Sequence, residues 1–89
     1  MNSNENWELK IDDVVYKELA RFPKRNAKKI FKVIELLPFD PYAGDIEKIK
    51  NEESVWRRRI GAYRIFYEIK KIERIIEVFR VERRTSNTY

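Results

Sequence analysis

The strongest constraint this chain places on its own fold is the run Val55-Trp56-Arg57-Arg58-Arg59-Ile60-Gly61-Ala62-Tyr63-Arg64-Ile65-Phe66-Tyr67. Two stretches rich in β-branched and aromatic residues flank Gly61-Ala62, the pattern of antiparallel strands joined by a two-residue loop. Loop length sets register, so Ile60 faces Tyr63, Arg59 faces Arg64, Arg58 faces Ile65 and Arg57 faces Phe66. Side chains alternate between the two faces of a sheet. One face then carries Arg57, Arg59, Arg64 and Phe66, and the other Trp56, Arg58, Ile60, Tyr63, Ile65 and Tyr67. Arg59 opposite Arg64 is a like-charged cross-strand pair, which costs a sheet up to about 1 kcal/mol. Folding gains nothing from that pair, whereas a polyanionic ligand would engage it.

The remaining segments supply elements to cover one of those faces. Trp7-Glu8-Leu9-Lys10-Ile11 alternates apolar and charged residues, as a half-buried strand does. Asp12 or Asp13 is a suitable N-cap for a helix carrying Val15, Leu19 and Phe22, closed by Pro23. Ala27, Ile30, Phe31, Ile34 and Leu37 recur at three and four residues, a second helix stopped by Pro38 and Pro41. The short link between the helices makes an αα-hairpin. Residues Ile46 to Lys50 are too few to show a period. Arg74 to Val81 reads as a third consecutive strand. A turn centred on Lys71-Ile72 pairs Phe66 with Glu77 and Arg64 with Phe79, which places Phe79, Val81 and Arg83 on the Arg57 face.

The order is β-α-α-β-β-β. It predicts an α+β domain with an N-terminal helical hairpin packed on one face of a small antiparallel sheet. The helices should cover Trp56, Ile60, Tyr63, Ile65, Tyr67, Ile69, Ile76 and Val78, so Trp56, Tyr63 and Tyr67 are read as core. Arg58 falls on the same face and is expected near an edge, its stem buried and its head in water. One domain is expected over residues 7–89, behind a polar tail over residues 1–6.

Among 89 residues, 20 Lys and Arg against 15 Asp and Glu give a net charge of +5, which favours a polyanionic partner. Lys17, Arg21, Lys24, Arg25, Lys28, Lys29 and Lys32 gather on the polar sides of the helices with only Glu18 among them. Such a charge run is ordinarily a solvated face, but this density suits a phosphate backbone. Lys24, Arg25, Lys28, Lys29 and Lys32 are therefore candidates for contacts to a nucleic-acid backbone. There is no cysteine and no histidine, which removes disulfides, Cys/His zinc sites and a histidine general base. No apolar run reaches the length of a membrane span. A cytoplasmic protein with no membrane partner and no cofactor is expected.

The element order, the VWRRRIGAYRIFYEI hairpin and the terminal VERRTSNTY together resemble the RelE toxins of the RelE/ParE superfamily, from Trp7 to Tyr89. The resemblance implies a toxin of a type II toxin–antitoxin system. It implies an endoribonuclease that cuts mRNA in the ribosomal A site and is neutralised by a RelB-like antitoxin. Arg57 and Arg59 fall where the family has two alternating basic residues, and Arg64 on its arginine after the hairpin turn. Arg83 matches the arginine ending the last strand, and Tyr89 the C-terminal tyrosine. Lys48 and Lys50 fall in the basic stretch before the hairpin, where phosphate contacts are implied. Two departures stand out: the alternating pair is often lysine in the family, and many relatives have histidine where this chain has Glu82.

The chemistry needs little apparatus. A 2′-OH attacks the adjacent phosphorus, leaving a 2′,3′-cyclic phosphate and a 5′-OH, and guanidinium groups suit the charge that gathers on the phosphoryl oxygens. Arg57, Arg59, Arg64 and Arg83 are the candidates for that role, with Tyr89 stacking on a base or bonding near the scissile phosphate. The proton acceptor stays open. Arginine has a pKa above about 12 and is a poor proton acceptor, Glu82 falls on the opposite side of its strand from Arg83, and Tyr89 is the other candidate. A ParE-like toxin directed at gyrase, or a weakened nuclease that binds RNA or antitoxin, are the alternatives.

Overall fold

The computed structural model describes residues 7–84. The elements in chain order are β1 (Glu8–Ile11), α1 (Asp13–Leu19), α2 (Lys24–Leu36), β2 (Ile46–Lys48), β3 (Val55–Ile60), β4 (Tyr63–Lys70) and β5 (Ile75–Arg83). They form one five-stranded sheet in the order β1-β5-β4-β3-β2, with both helices on one side. This is the α+β architecture expected, with two additions. The sheet is mixed, because β1 lies parallel to β5 with Leu9 beside Ile76 and Ile11 beside Val78. Residues 46–48 form an edge strand antiparallel to β3, too short to announce itself by a period.

The β4 strand decides where the core lies. Its residues alternate without a break: Tyr63, Ile65, Tyr67 and Ile69 are buried, while Arg64, Phe66, Glu68 and Lys70 are partly exposed on the other face. Ile76, Val78 and Val81 extend the buried set across β5, and Val15, Leu19, Ile30, Ile34 and Leu37 close it from the helices. Among the described residues the fully buried set contains no charged side chain. The Tyr67 hydroxyl, deep in this layer, donates to the Pro41 carbonyl oxygen at 2.6 Å, which ties the loop after α2 to the centre of the sheet. Among the described residues no helix is long and apolar enough to cross a membrane.

The hairpin register is the one its loop length dictates, from Ile60 opposite Tyr63 to Arg57 opposite Phe66. The β5 register is not the one expected. The connecting loop runs through Arg74, whose φ of 63° is left-handed, so Lys70 pairs with Ile75 and Glu68 with Glu77. A β-bulge then inserts one extra residue, and Phe66 faces Arg80, Ile65 faces Val81 and Arg64 faces Glu82. The cause lies in β5 itself. Strict alternation from Ile76 and Val78 would drive Arg80 into the apolar layer and leave Val81 in water; the bulge exchanges them. Beyond the end of β1, the Val81 amide donates to Glu18 Oε1 of α1 at 2.7 Å, so this outer edge is satisfied by a helix side chain.

Arg58 also departs from expectation. It shares the helix-side face of β3, and its Nε is buried with no hydrogen-bond partner. The guanidinium packs against Gly44, where a Cβ would collide with it and where φ is +86°. Both facts call for glycine at that position.

Two outcomes test this packing. Ile76→Ala should lower the unfolding free energy by about 2–5 kcal/mol in urea titration, and a loss under about 1 kcal/mol would contradict a sealed core. Burial raises the Tyr67 hydroxyl pKa from its ordinary value to about 12, against the opposing charge of Arg58. The folded state therefore keeps a proton that the unfolded chain loses, and stability falls as pH rises from about 10 through about 12. Tyr67→Phe should flatten that fall while costing about 0.5–1.5 kcal/mol at neutral pH.

Candidate nucleic-acid interface

The face of the sheet away from the helices is a ladder of charges set by strand register. In one cross-strand row Arg59 faces Arg64, and Arg64 faces Glu82. In the next row Glu47 faces Arg57, Arg57 faces Phe66, and Phe66 faces Arg80. The rows are roughly 7 Å apart, two residues at about 3.4 Å each. Each arginine has an acid on it. Arg59 Nε donates to Asp45 Oδ2 at 3.2 Å, Arg57 is paired with Glu47, and Glu82 accepts from Arg64 at 3.4 Å and from Arg80 at 2.8 Å. Asp45 and Glu47 flank and occupy the edge strand β2, and their side chains are 64% and 65% exposed. Pairs this wet contribute about 0–1 kcal/mol each, so an incoming phosphate can replace them.

Several predicted site residues come together here and others do not. Arg57, Arg59 and Arg64 share the open face. Arg83 does not: the bulge sets it opposite Tyr63 on the helix-side parity, exposed at the end of β5. Glu82, expected on the opposite face, stands beside Arg64, where Phe79 was expected. Val81, expected on the arginine face, is in the core. Lys48 faces Trp56 and so turns to the helix side, near Tyr42 and Trp56, while Lys50 is exposed in the loop after β2. Lys24, Arg25, Lys28, Lys29 and Lys32 are exposed on α2, across the molecule from the arginine ladder. Lys28, Lys29 and Lys32 border an open groove with Ala27 and Phe31. Tyr89 lies outside the described residues.

Three contributors were missed from sequence. Arg80 joins the ladder only through the bulge, and its guanidinium lies 5.8 Å from the Phe66 ring centroid. The spacing of Val78 and Val81, three rather than two apart, was the available signal. The acids Asp45 and Glu47 sit in a segment without period, and nothing local announces them. Farther along the same face, Lys70 and then Asp12 hold the Glu77 carboxyl below its ordinary range, and the hydrogen bond to Glu77 raises that of Asp12.

The sequence model for the ParE toxin of the type II toxin–antitoxin system parDE matches residues 9–88. A Methanocaldococcus jannaschii protein carrying the toxin name RelE1 is 33% identical over 81 residues, covering 88% of this chain and 90% of its own. The chain belongs to the RelE/ParE toxin superfamily. The toxin of the archaeal RelE–RelB complex from Pyrococcus horikoshii superposes with a TM-score of 0.78 at 22% identity, over 92% of this chain and 99% of that one. The Methanococcus jannaschii RelB–RelE complex gives 0.70 at 27% identity, over 83% of this chain and 88% of that one. This chain is thus a type II toxin of RelE/ParE fold, and its uncovered sheet face carries Arg57, Arg59, Arg64 and Arg80.

If Glu82 holds two toxin arginines away from anions, Glu82→Gln should tighten binding of a short RNA by up to about fivefold and steepen its salt dependence. Fluorescence anisotropy at two salt concentrations reads this, and weaker binding would assign Glu82 a direct part in holding RNA.

Proposed function

We propose that the toxin is a ribosome-dependent, metal-independent endoribonuclease that cuts mRNA in the A site and so stops translation. The observation that carries this reading is the arginine ladder: Arg57, Arg59, Arg64 and Arg80 on one uncovered sheet face, held only by exchangeable acids. A like-charged pair at Arg59 and Arg64 is tolerated at a site whose ligand is an anion. Guanidinium groups at fixed spacing grip phosphoryl oxygens through forked donors, and preorganised charge of this kind is a large term in such reactions.

In the proposed reaction the RNA 2′-oxygen bonds to the adjacent phosphorus and the bond to the 5′-oxygen breaks. The products are a 2′,3′-cyclic phosphate and a 5′-OH. Arg64 bears on the non-bridging oxygens, while Arg57 and Arg59 hold the flanking backbone. Glu82 is the carboxylate within the ladder and the candidate to accept the 2′-OH proton. The same group must move off Arg64 for a phosphate to enter. Tyr89 stacks on a base, and Arg83 acts from the strand end, beside the start of the C-terminal segment. Lys48 and Lys50, with Lys24, Arg25, Lys28, Lys29 and Lys32, meet ribosomal RNA from the other side of the molecule. Placement in the A site supplies much of the orientation that a small enzyme cannot.

The partner that restrains the toxin is a RelB-like antitoxin in a hetero-oligomer, supported by the RelB-bound state of the Pyrococcus and Methanococcus neighbours. An acidic segment would cover the basic helix surface and the ladder, blocking RNA by the same charges that bind it. The site of action is cytoplasmic. The second reading, a gyrase-directed toxin, rests on the match to the ParE model.

Primer extension on a translated reporter mRNA distinguishes the two. Induction should give in-frame A-site cuts, and Arg64→Ala should reduce them by about 10²-fold or more with the circular dichroism spectrum unchanged. Growth arrest that survives Arg64→Ala, or gyrase-dependent DNA breaks with intact mRNA, would overturn the nuclease reading.

A further inference from the structure

The open face does not end at the arginines. The row beyond Arg57 and Phe66 is Val55, Glu68 and Glu77. Phe66 and the bulge residue Phe79 stand with ring centroids 6.4 Å apart. With Ile49, Val55 and Glu52 they line an open cavity of about 480 Å³, apolar in its walls and acidic at its rim. The helices pack on the other side of the sheet and leave this cavity uncovered.

Two features limit what fits there. The first is continuity with the ladder. Arg57 lies directly across from Phe66, and the Arg80 guanidinium stands over the Phe66 ring. A strand whose phosphates rest on Arg57 and Arg64 therefore carries a base within reach of two phenylalanines, the side chains on which unstacked bases settle. The second is the polarity of the rim, which offers acceptors. Glu77 is engaged by Lys70 at 2.8 Å. Glu68 is fixed through one oxygen, where Oε2 accepts the Ser54 hydroxyl at 3.0 Å, and among the described residues no further donor reaches it. A fixed carboxylate selects a base edge with two adjacent N–H groups. Uracil has one N–H between two carbonyls, and adenine and cytosine each set an amino group beside a ring acceptor. Guanine alone presents N1–H beside its N2 amino group.

We propose that the Phe66–Phe79 cavity is a guanine subsite, in which Glu68 accepts hydrogen bonds from the Watson–Crick edge and Ser54 positions Glu68. The proposal rests on the nuclease reading of the same face and adds the base that face selects.

The test uses antitoxin-free toxin and four fluorescein-labelled, fully 2′-O-methylated tetranucleotides that cannot be cleaved. They are uridine tetramers with G, A, C or U at the third position. Anisotropy should place the guanosine tetramer tightest by about fivefold or more, the lower bound for one bidentate base contact. Glu68→Gln should bring the four within about twofold of one another, and Ser54→Ala should narrow the preference partway. Equal binding of all four tetramers, or a guanosine preference that survives Glu68→Gln, overturns the subsite and leaves the arginine ladder standing. Binding insensitive to Arg64→Ala overturns the nuclease reading itself, and the subsite with it. Displacement of the guanosine tetramer by a lysine-rich peptide that binds wild type but not Glu68→Gln, without any base preference among the tetramers, assigns the cavity to a protein ligand instead.

Discussion

Between Tyr67 opposite Val78 and Phe66 opposite Arg80, β5 carries one residue more than β4. Everything on the C-terminal half of β5 depends on that residue. Without it the Tyr67–Val78 register would set Arg80 opposite the buried Ile65, and burying an unpaired guanidinium costs several kcal/mol. With it, Val81 seals the core at 1% exposure and both Arg80 and Glu82 reach the open face. The bulge is held on its outer side by Glu18, whose carboxylate takes the amide that β1 is too short to meet. A packing requirement on one face thereby dictates the electrostatics of the other.

The resulting face is not the bare positive field that composition suggests. Its arginines are each met by a carboxylate: Asp45, Glu47 or Glu82. Such pairing lets Arg59 and Arg64 stand opposite each other in the absence of ligand, and holds the guanidiniums in place at little energetic cost. Anion binding then becomes an exchange of one partner for another. Affinity should depend on how readily the acids move, which favours the exposed Asp45 and Glu47 of the sheet edge over the more enclosed Glu82.

The parts of this arrangement that sequence could show are those fixed locally. A two-residue loop at Gly61-Ala62 leaves the hairpin a single register, so the meeting of Arg57, Arg59 and Arg64 followed from the residues alone. Helix α2 was equally plain, because Ile30, Ile34 and Leu37 mark one face. The β4–β5 register was not local. A four-residue loop with a left-handed Arg74 replaced the tight turn, and the bulge answered a burial conflict visible only once the helices cover the sheet. That is why Arg83 and Glu82 exchanged faces relative to a strict alternation. Lys48 could be given no face for a related reason: a three-residue strand carries no period, and only its pairing with Trp56 turns it to the helix side.

The proposed function requires RNA phosphates to settle on the arginine ladder of the uncovered sheet face. NMR observation of arginine Nε–H signals during titration with a 2′-O-methylated RNA tetranucleotide addresses it directly. Shifts are expected at Arg57, Arg59, Arg64 and Arg80, with little change at Arg21 and Arg25 on the helical layer. Shifts confined to Arg21 and Arg25, with the ladder signals unmoved, would contradict it.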